Sequence, residues 1–239
     1  MPNRRWNVIT VLSLGGSIVS PERPDTEFLR AFAALVREHL AEDPLRRFIL
    51  VVGGGGPARL WQKAYRDCLD GLEPGSDEAQ DWIGVMATRL NAQLVKAVLG
   101  ELCPQEVVTD PSSVGLFMGR VLVAAGWKPG FSTDYDAVLL ARKFGAERLL
   151  NLSNIAKVYT GDPRTDPGAT PIDAISWKDF RSIVGEDWTP GKNLPFDPVA
   201  SRLASELRLE VVCAAGRDLD NLRAILSGRS FLGTIIGPD

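Results

Sequence analysis

The chain has 239 residues, 45% apolar and 24% charged, with 27 basic against 30 acidic side chains and a formal net charge of -3. Its one histidine, His39, excludes a multi-histidine metal centre, and the scattered Cys68, Cys103 and Cys213 provide no zinc or disulfide framework. The balanced charge lacks the basic footprint of a nucleic-acid binder, and no apolar run reaches the ~18 residues that span a bilayer, so a soluble cytoplasmic protein with no nucleic-acid or membrane partner is expected.

Taken in order, Val8 to Leu14 is a continuous apolar run that predicts a strand buried on both faces, broken by Gly15-Gly16-Ser17. Asp25 is positioned as an N-cap for a helix whose apolar face carries Phe28, Leu29, Phe32, Leu35, Val36 and Leu40, ending near Asp43-Pro44. Phe48 to Val52 predicts a second buried strand, followed by the loop Gly53-Gly54-Gly55-Gly56-Pro57. The next helix places Leu60, Trp61, Ala64, Tyr65, Cys68 and Leu69 on one face. Residues 71–78 read as loop, and Ala79 to Leu99 as a long helix with Ile83, Met86, Leu90, Leu94 and Val98 on its apolar side.

Short strands are expected at Val107-Val108 and Val121 to Ala125. The loop Gly126 to Asp134 then leads into a helix ending near Gly145. Arg148 to Leu152 is a further strand, followed by Val158-Tyr159 and a proline-rich turn from Asp162 to Pro171. Ser176 to Ile183 reads as a short helix, and Trp188 to Asn193 as a loop. Pro198 to Leu207 predicts a helix, Glu210 to Ala214 a strand, Leu219 to Leu226 a helix and Phe231 to Ile236 the last strand. This alternation implies an α/β fold with a mainly parallel central sheet covered on both sides, whose ligands sit outside the carboxyl ends of the strands.

Both glycine loops fall where a strand hands over to a helix. A backbone without side chains can approach a phosphate closely, and its N–H groups bind the anion together with the positive end of the next helix. Two such loops in neighbouring units suggest two phosphate-bearing ligands facing each other. No G-x-x-x-x-G-K followed by Ser or Thr is present. Gly53-x-Gly55-x-x-Ala58 matches a loose dinucleotide fingerprint, but ~20 residues on stands Glu73-Pro74-Gly75-Ser76, a turn without the required strand end.

Three further segments concentrate polar groups. On the long helix, Asp81, Thr88 and Asn91 leave the apolar stripe and read equally well as a solvated face. Ser132-Thr133-Asp134 is a helix-start signal, in which Asp134 taken singly is explained by capping. The strand end Asn151 to Pro163 carries Ser153, Asn154, Tyr159 and Asp162, which an ordinary Asp-Pro turn also explains.

These segments, in this order, resemble the amino acid kinase family, and within it the archaeal-type uridylate (UMP) kinases. The landmarks are Ser13-Leu14-Gly15-Gly16-Ser17, Val51-Val52-Gly53-Gly54-Gly55, Asp81-Trp82-Ile83-Gly84 with Ala87-Thr88-Arg89-Leu90-Asn91-Ala92, and Pro129-Gly130 before Ser132-Thr133-Asp134. Asn154 to Tyr159 with Asp162-Pro163, Phe196-Asp197-Pro198-Val199-Ala200 and Gly233-Thr234 complete the set, which spans nearly the whole chain. The resemblance implies a three-layer αβα sandwich forming one domain over residues 1–239, roughly an acceptor/phosphate lobe over 1–130 and an ATP lobe over 131–239, and a homohexamer. It also implies transfer of the γ-phosphoryl of ATP to UMP with Mg²⁺, in pyrimidine metabolism.

By the same resemblance, Gly15, Gly16 and Ser17 would hold the phosphates in transit, and Gly16 and Asp134 would be catalytic. Asp134 would organise the metal and the transferring group, with no direct protein ligand to Mg²⁺, which would be held mainly by nucleotide phosphates. Gly54, Gly55 and Arg59 would bind the UMP phosphate, Asp81 the ribose, and the loop Gly126 to Thr133, with Lys128, the nucleoside. Ser153, Asn154, Tyr159 and Asp162 would surround the adenine nucleotide. Positioning and charge neutralisation dominate phosphoryl transfer, so a chain without a histidine base suits it.

The chain departs from the pattern in three places. Ser13 stands where bacterial relatives carry a lysine, and Ile155-Ala156-Lys157 where many relatives read Val-Asp-Gly. Trp127-Lys128 replaces smaller residues in the acceptor loop. The cation for the developing charge is then Lys128, Lys157, Lys192 or Arg202. Alternatives are another phosphotransferase of the family, or a non-catalytic oxyanion (molybdate) or nucleotide storage protein on the same fold.

Overall fold

The computed structural model describes residues 9–69, 76–163, 165–185 and 194–237. The expected loop at Trp188 to Asn193 lies outside them. In chain order the elements are β1 (Ile9–Leu14), a one-turn helix α1 (Gly16–Val19), α2 (Thr26–Ala41), β2 (Arg47–Val52), α3 (Gly55–Cys68) and α4 (Asp77–Leu99). A 3-10 turn (Gly100–Leu102) leads to β3 (Val121–Ala124), α5 (Thr133–Phe144), β4 (Arg148–Ser153), β5 (Val158–Tyr159) and β6 (Pro171–Ile172). The chain closes with β7 (Ala174–Ser176), α6 (Trp177–Val184), α7 (Pro198–Glu206), β8 (Glu210–Ala215), α8 (Leu219–Leu226) and β9 (Thr234–Gly237).

Seven strands form one sheet in the order β3-β2-β1-β4-β8-β9-β7. The first five are parallel, β9 runs antiparallel to β8, and β7 runs parallel to β9. Alternate residues of each strand point to opposite faces, which divides the core in two. Leu12, Leu14, Leu50, Val52 and Leu150 pack under α2, α4 and α8, while Val11, Ile49, Val51, Leu149 and Val211 pack under α5, α6 and α7. The three-layer αβα sandwich is therefore as expected. No helix among the described residues is long and apolar enough to cross a membrane.

The caps explain most boundaries. Asp25 accepts from the Phe28 amide to start α2, Ser132 from Tyr135 to start α5, and Asp197 from Ala200 to start α7. Gly145, in the left-handed conformation, ends α5. Because Ser132 is the cap, Asp134 is not, contrary to the single-residue reading.

Several expectations need correction. Gly15-Gly16-Ser17 does not remain loop, since its last two residues begin α1. Val107-Val108 forms no strand and contributes only a bridge from Val108 to Ala124. The last strand starts at Thr234, not Phe231. The apolar face assigned to α3 is not buried: Leu60 and Trp61 are both 64% exposed. On α4 the buried face is Val85, Thr88, Ala92, Val95 and Leu99, while Met86 and Leu90 of the expected stripe are exposed. Leu94 and Val98 of the expected stripe pack partly buried against the core, but the fully buried face is the neighbouring one, which also carries Thr88 and Asn91. His39, expected at a surface or packing position, packs against Phe48 at 5.5 Å between ring centres.

Candidate active site

The order of the sheet determines where the site lies. From β1 the chain builds outwards to β2 and β3 on one side, then crosses to β4 on the other. Ligands of such sheets bind at this switch point, beyond the carboxyl ends of the strands. Gly15 follows β1, Gly53 follows β2, Gly126 lies just past β3, and Ser153 ends β4. All four predicted segments therefore open at one edge of the sheet.

The two glycine turns touch backbone to backbone. A Cβ on Gly16 would lie 2.0 Å from the Gly55 nitrogen, and one on Gly53 would lie 2.5 Å from the Gly16 nitrogen. No other residue type fits either position. Gly55 also adopts φ +64°, a conformation that glycine accepts without strain. The amide of Gly15 donates to Leu152 O at 2.9 Å, Gly53 to Leu14 O at 2.9 Å, and Gly56 to Ser20 O at 2.8 Å. These bonds lock β1, β2 and β4 at their ends, with the N-termini of α1 and α3 side by side.

The polar residues of α4 hold these turns, and the solvated-face reading of Thr88 and Asn91 is overturned. Asn91 Nδ2 donates to Gly53 O at 2.9 Å and Gly54 O at 3.0 Å. Thr88 Oγ1 donates to Val85 O at 2.6 Å and accepts from the Gly126 amide at 2.8 Å. Arg89 reaches Gly126 O at 3.4 Å and Trp127 O at 2.8 Å. Asp81 accepts from the Gly130 amide at 3.2 Å, which ties it to the loop expected to meet the same ligand.

Asp134 sits in the first turn of α5, facing the end of β1. Its Oδ1 accepts from Ser13 Oγ at 3.0 Å and its Oδ2 from the Asp197 amide at 3.4 Å. Burial, with the Asp197 charge adding to it, pushes its carboxyl up to about 6. Asp197 is itself raised, mainly by burial. Asp136 is fully buried; burial pushes it up to about 7 although the Trp127 amide pulls the other way. The nearby Cys213 thiol is pushed by burial up to about 12, which excludes it as a thiolate nucleophile.

The other predicted residues stand as follows. Ser17 lies in α1 and Thr133 opens α5. Arg59, in α3, is exposed and donates to Pro21 O at 3.0 Å. Ser153 adjoins Gly15, with its Cα 3.5 Å from where a Gly15 Cβ would stand. Asn154 and Asp162 are exposed, and Tyr159 pairs with Pro171 in the β5–β6 hairpin, away from the glycine turns in the hydrogen-bonding pattern. Among the candidate cations, Lys157 pairs with Asp173, Lys128 Nζ rests 4.0 Å from the Trp127 ring centre, and Arg202 is exposed on α7. Lys192 lies outside the described residues.

A family model described as the amino acid kinase family matches residues 8–215. The chain belongs to that family. It is 32% identical over 231 residues to a uridylate kinase of Methanospirillum hungatei, covering 95% of this chain and 93% of the relative. To the uridylate kinase of Methanosarcina barkeri it is 35% identical over 224 residues, covering 92% and 91%. It also resembles the crystal structure of the Archaeoglobus fulgidus uridylate kinase, with a TM-score of 0.79, 30% identity, and coverage of 95% of this chain and 99% of that one. The family resemblance drawn from the ordered glycine and polar segments thus holds.

Sequence reasoning passed over Asp136 and treated Thr88 and Asn91 as evenly balanced. A signal was present. Asp136 shares the buried stripe of Ala137, Leu140 and Ala141, and Thr88 and Asn91 share that of Ala92 and Val95. A polar residue within a buried stripe marks a buried partner.

Proposed function

We propose that the protein is a UMP kinase, which transfers the γ-phosphoryl group of ATP to the phosphate of UMP and releases UDP and ADP. The observation that carries this reading is the contact between the Gly15-Gly16 and Gly53–Gly55 turns at the switch point of the sheet. Two phosphate-binding backbones in direct contact suit a donor and an acceptor phosphate that must meet. The uridylate kinase names of the similar proteins support the choice of acceptor.

In this mechanism a UMP phosphate oxygen forms a bond to the γ-phosphorus while the bond to the β,γ-bridging oxygen breaks. The attacking oxygen is already anionic, so no base is needed. Gly16 and Ser17 hold the transferring group through backbone amides, and Gly15, whose own amide is bonded to Leu152 O, lets the phosphate approach the backbone closely. Gly54, Gly55 and Arg59 orient the acceptor phosphate, Asp81 its ribose, and Gly126, Lys128 and Thr133 the nucleoside. Ser153, Asn154, Tyr159 and Asp162 surround the adenine nucleotide. Residues up to about 130 thereby form an acceptor and phosphate lobe and the later ones an ATP lobe.

Among the described residues no group of three His, Cys, Asp or Glu side chains converges on a metal position. The Asp134–Asp197 pair nevertheless suits a hard divalent cation, since its two mutually repelling, buried carboxyls would be relieved by one. Bound with ATP, Mg²⁺ supplies neutralisation of phosphate charge. Asp134 would hold it alongside the nucleotide phosphates, and Ser13 and the Asp197 amide keep Asp134 in place.

Exposed Leu60, Trp61, Trp82, Met86 and Leu90 project from α3 and α4. We read them as the surface through which copies associate, a hexamer by family resemblance, in the cytoplasm. A coupled assay with ATP, Mg²⁺ and UMP, CMP, AMP or isopentenyl phosphate tests the activity. Turnover highest with UMP is expected; ATP binding without turnover of any acceptor would overturn the reading in favour of storage.

A further inference from the structure

We propose that Asp136 is a positioning residue for the acceptor loop, clamping the Gly126–Trp127 backbone and so setting affinity for the acceptor nucleotide. The proposal rests on the reading of that loop given above. It begins from where the backbone hydrogen bonds of the loop go. Loops are usually satisfied by water or by their own turns. Here all four polar groups of two consecutive residues are held by side chains of two helices. The Gly126 amide donates to Thr88 Oγ1 at 2.8 Å, and the Gly126 carbonyl accepts from Arg89 Nε at 3.4 Å. The Trp127 amide donates to Asp136 Oδ2 at 3.0 Å, and its carbonyl accepts from Arg89 Nη2 at 2.8 Å. Three of these bonds come from α4, and Asp136 is the one contribution of α5.

Asp136 carries a cost that packing does not require. It is 0% exposed, and its Oδ1 is buried without a hydrogen-bond partner among the described residues. Its neighbours in the stripe are Ala137, Leu140 and Ala141, where an apolar residue would bury freely. The return for that burial is the bond to Trp127. Side chains extend the same grip. The Trp127 ring lies 5.1 Å from Phe131, and Phe131 lies 4.9 Å from Tyr135, the residue next to Asp136. Lys128 Nζ rests over both Trp127 and Phe131. Position 136 therefore governs the backbone from which Trp127 and Lys128 project.

The test compares full-length wild type with Asp136→Ala and Asp136→Asn, the latter retaining a side-chain oxygen for the Trp127 amide. Amide hydrogen exchange over residues 126–131 reads the clamp without reference to activity, and steady-state kinetics read its consequence. For Asp136→Ala, exchange at Trp127 and the KM for UMP should each rise about ten-fold, with kcat and the KM for ATP within about two-fold of wild type. Asp136→Asn should restore both readouts. The proposal is overturned if Asp136→Ala leaves exchange and KM unchanged, if Asp136→Asn fails to rescue, or if both KM values rise together. If the alanine variant does not fold, Asp136→Val fills the stripe without an acceptor and takes its place. Wild type that turns over no UMP overturns the acceptor reading and the affinity part of this proposal, while hydrogen exchange still decides the clamp.

Discussion

The side-chain amide of Asn91 donates to the carbonyl of Gly53 at 2.9 Å, tying the middle of α4 to the turn that ends β2. The same nitrogen reaches Gly54 at 3.0 Å, so one buried side chain satisfies two carbonyls of the turn. Asn91→Ala leaves both without this donor and should cost about 2–3 kcal/mol of stability. The urea midpoint measures this, and a midpoint equal to wild type would show that the turn holds itself.

Gly16→Ala places a methyl group 2.0 Å from the Gly55 nitrogen, against backbone that has no flexible end to move aside. The two turns must separate. Displacing the groups proposed to bind phosphate by about 1 Å should lower kcat/KM about a hundred-fold or more, with the far-ultraviolet circular dichroism preserved. Activity near wild type would mean that the contact between the turns is not needed for transfer.

Asp134 is held by Ser13 and by the Asp197 amide at the junction of β1, α5 and α7. Asp134→Asn should act chiefly on kcat, lowering it about a hundred-fold, with both KM values changed far less. Arg59→Ala should instead raise the KM for UMP about ten-fold, as loss of a charged phosphate contact does. An inverted pattern would reassign the two residues.

His39 carries the clearest pH signature of stability away from the site. Burial, reinforced by Arg46, lowers its pKa to about 4 from an ordinary 6.5. The folded state therefore binds the proton less readily than the unfolded chain. The stabilisation is present above pH 6.5 and is lost as pH falls towards 4. Relative to His39→Gln, wild type should lose on the order of 2 kcal/mol between pH 7 and pH 4. Parallel melting curves across that range would exclude this linkage.

Leu90 is 69% exposed on α4, beside the exposed Met86 and Trp82. Leu90→Glu should reduce the molar mass measured by light scattering on a sizing column, while leaving the melting temperature of the subunit close to wild type. A wild-type protein that elutes as a monomer would remove this surface from the assembly.

Much of the architecture was legible locally, because continuous apolar runs such as Phe48 to Val52 bury on both faces wherever they pair. The cap of α2 was legible for the same reason, since Asp25 acts on an amide three residues away, whereas Ser132-Thr133-Asp134 marked the start of α5 without saying which of the three caps it. Boundaries failed where local signals competed. Gly16-Ser17 looked like a loop, yet the Ile18 amide bonds back to Gly15 O at 2.8 Å and closes a helical turn. The stripes on α3 and α4 were ambiguous because apolar residues lie on two faces, and periodicity does not say which face meets the sheet.

The sequence by itself determined the strand-and-glycine order, the family and the positions of the two glycine turns, all of which follow from short-range patterns. Only the tertiary structure decided that Gly16 and Gly55 touch, that Ser13 meets Asp134 across 121 positions, and that Asn91, Thr88 and Asp136 support the site. The reason is that a buried polar residue is read by its partner. Those partners are backbone groups brought together by strand order β2-β1-β4, which no local pattern encodes.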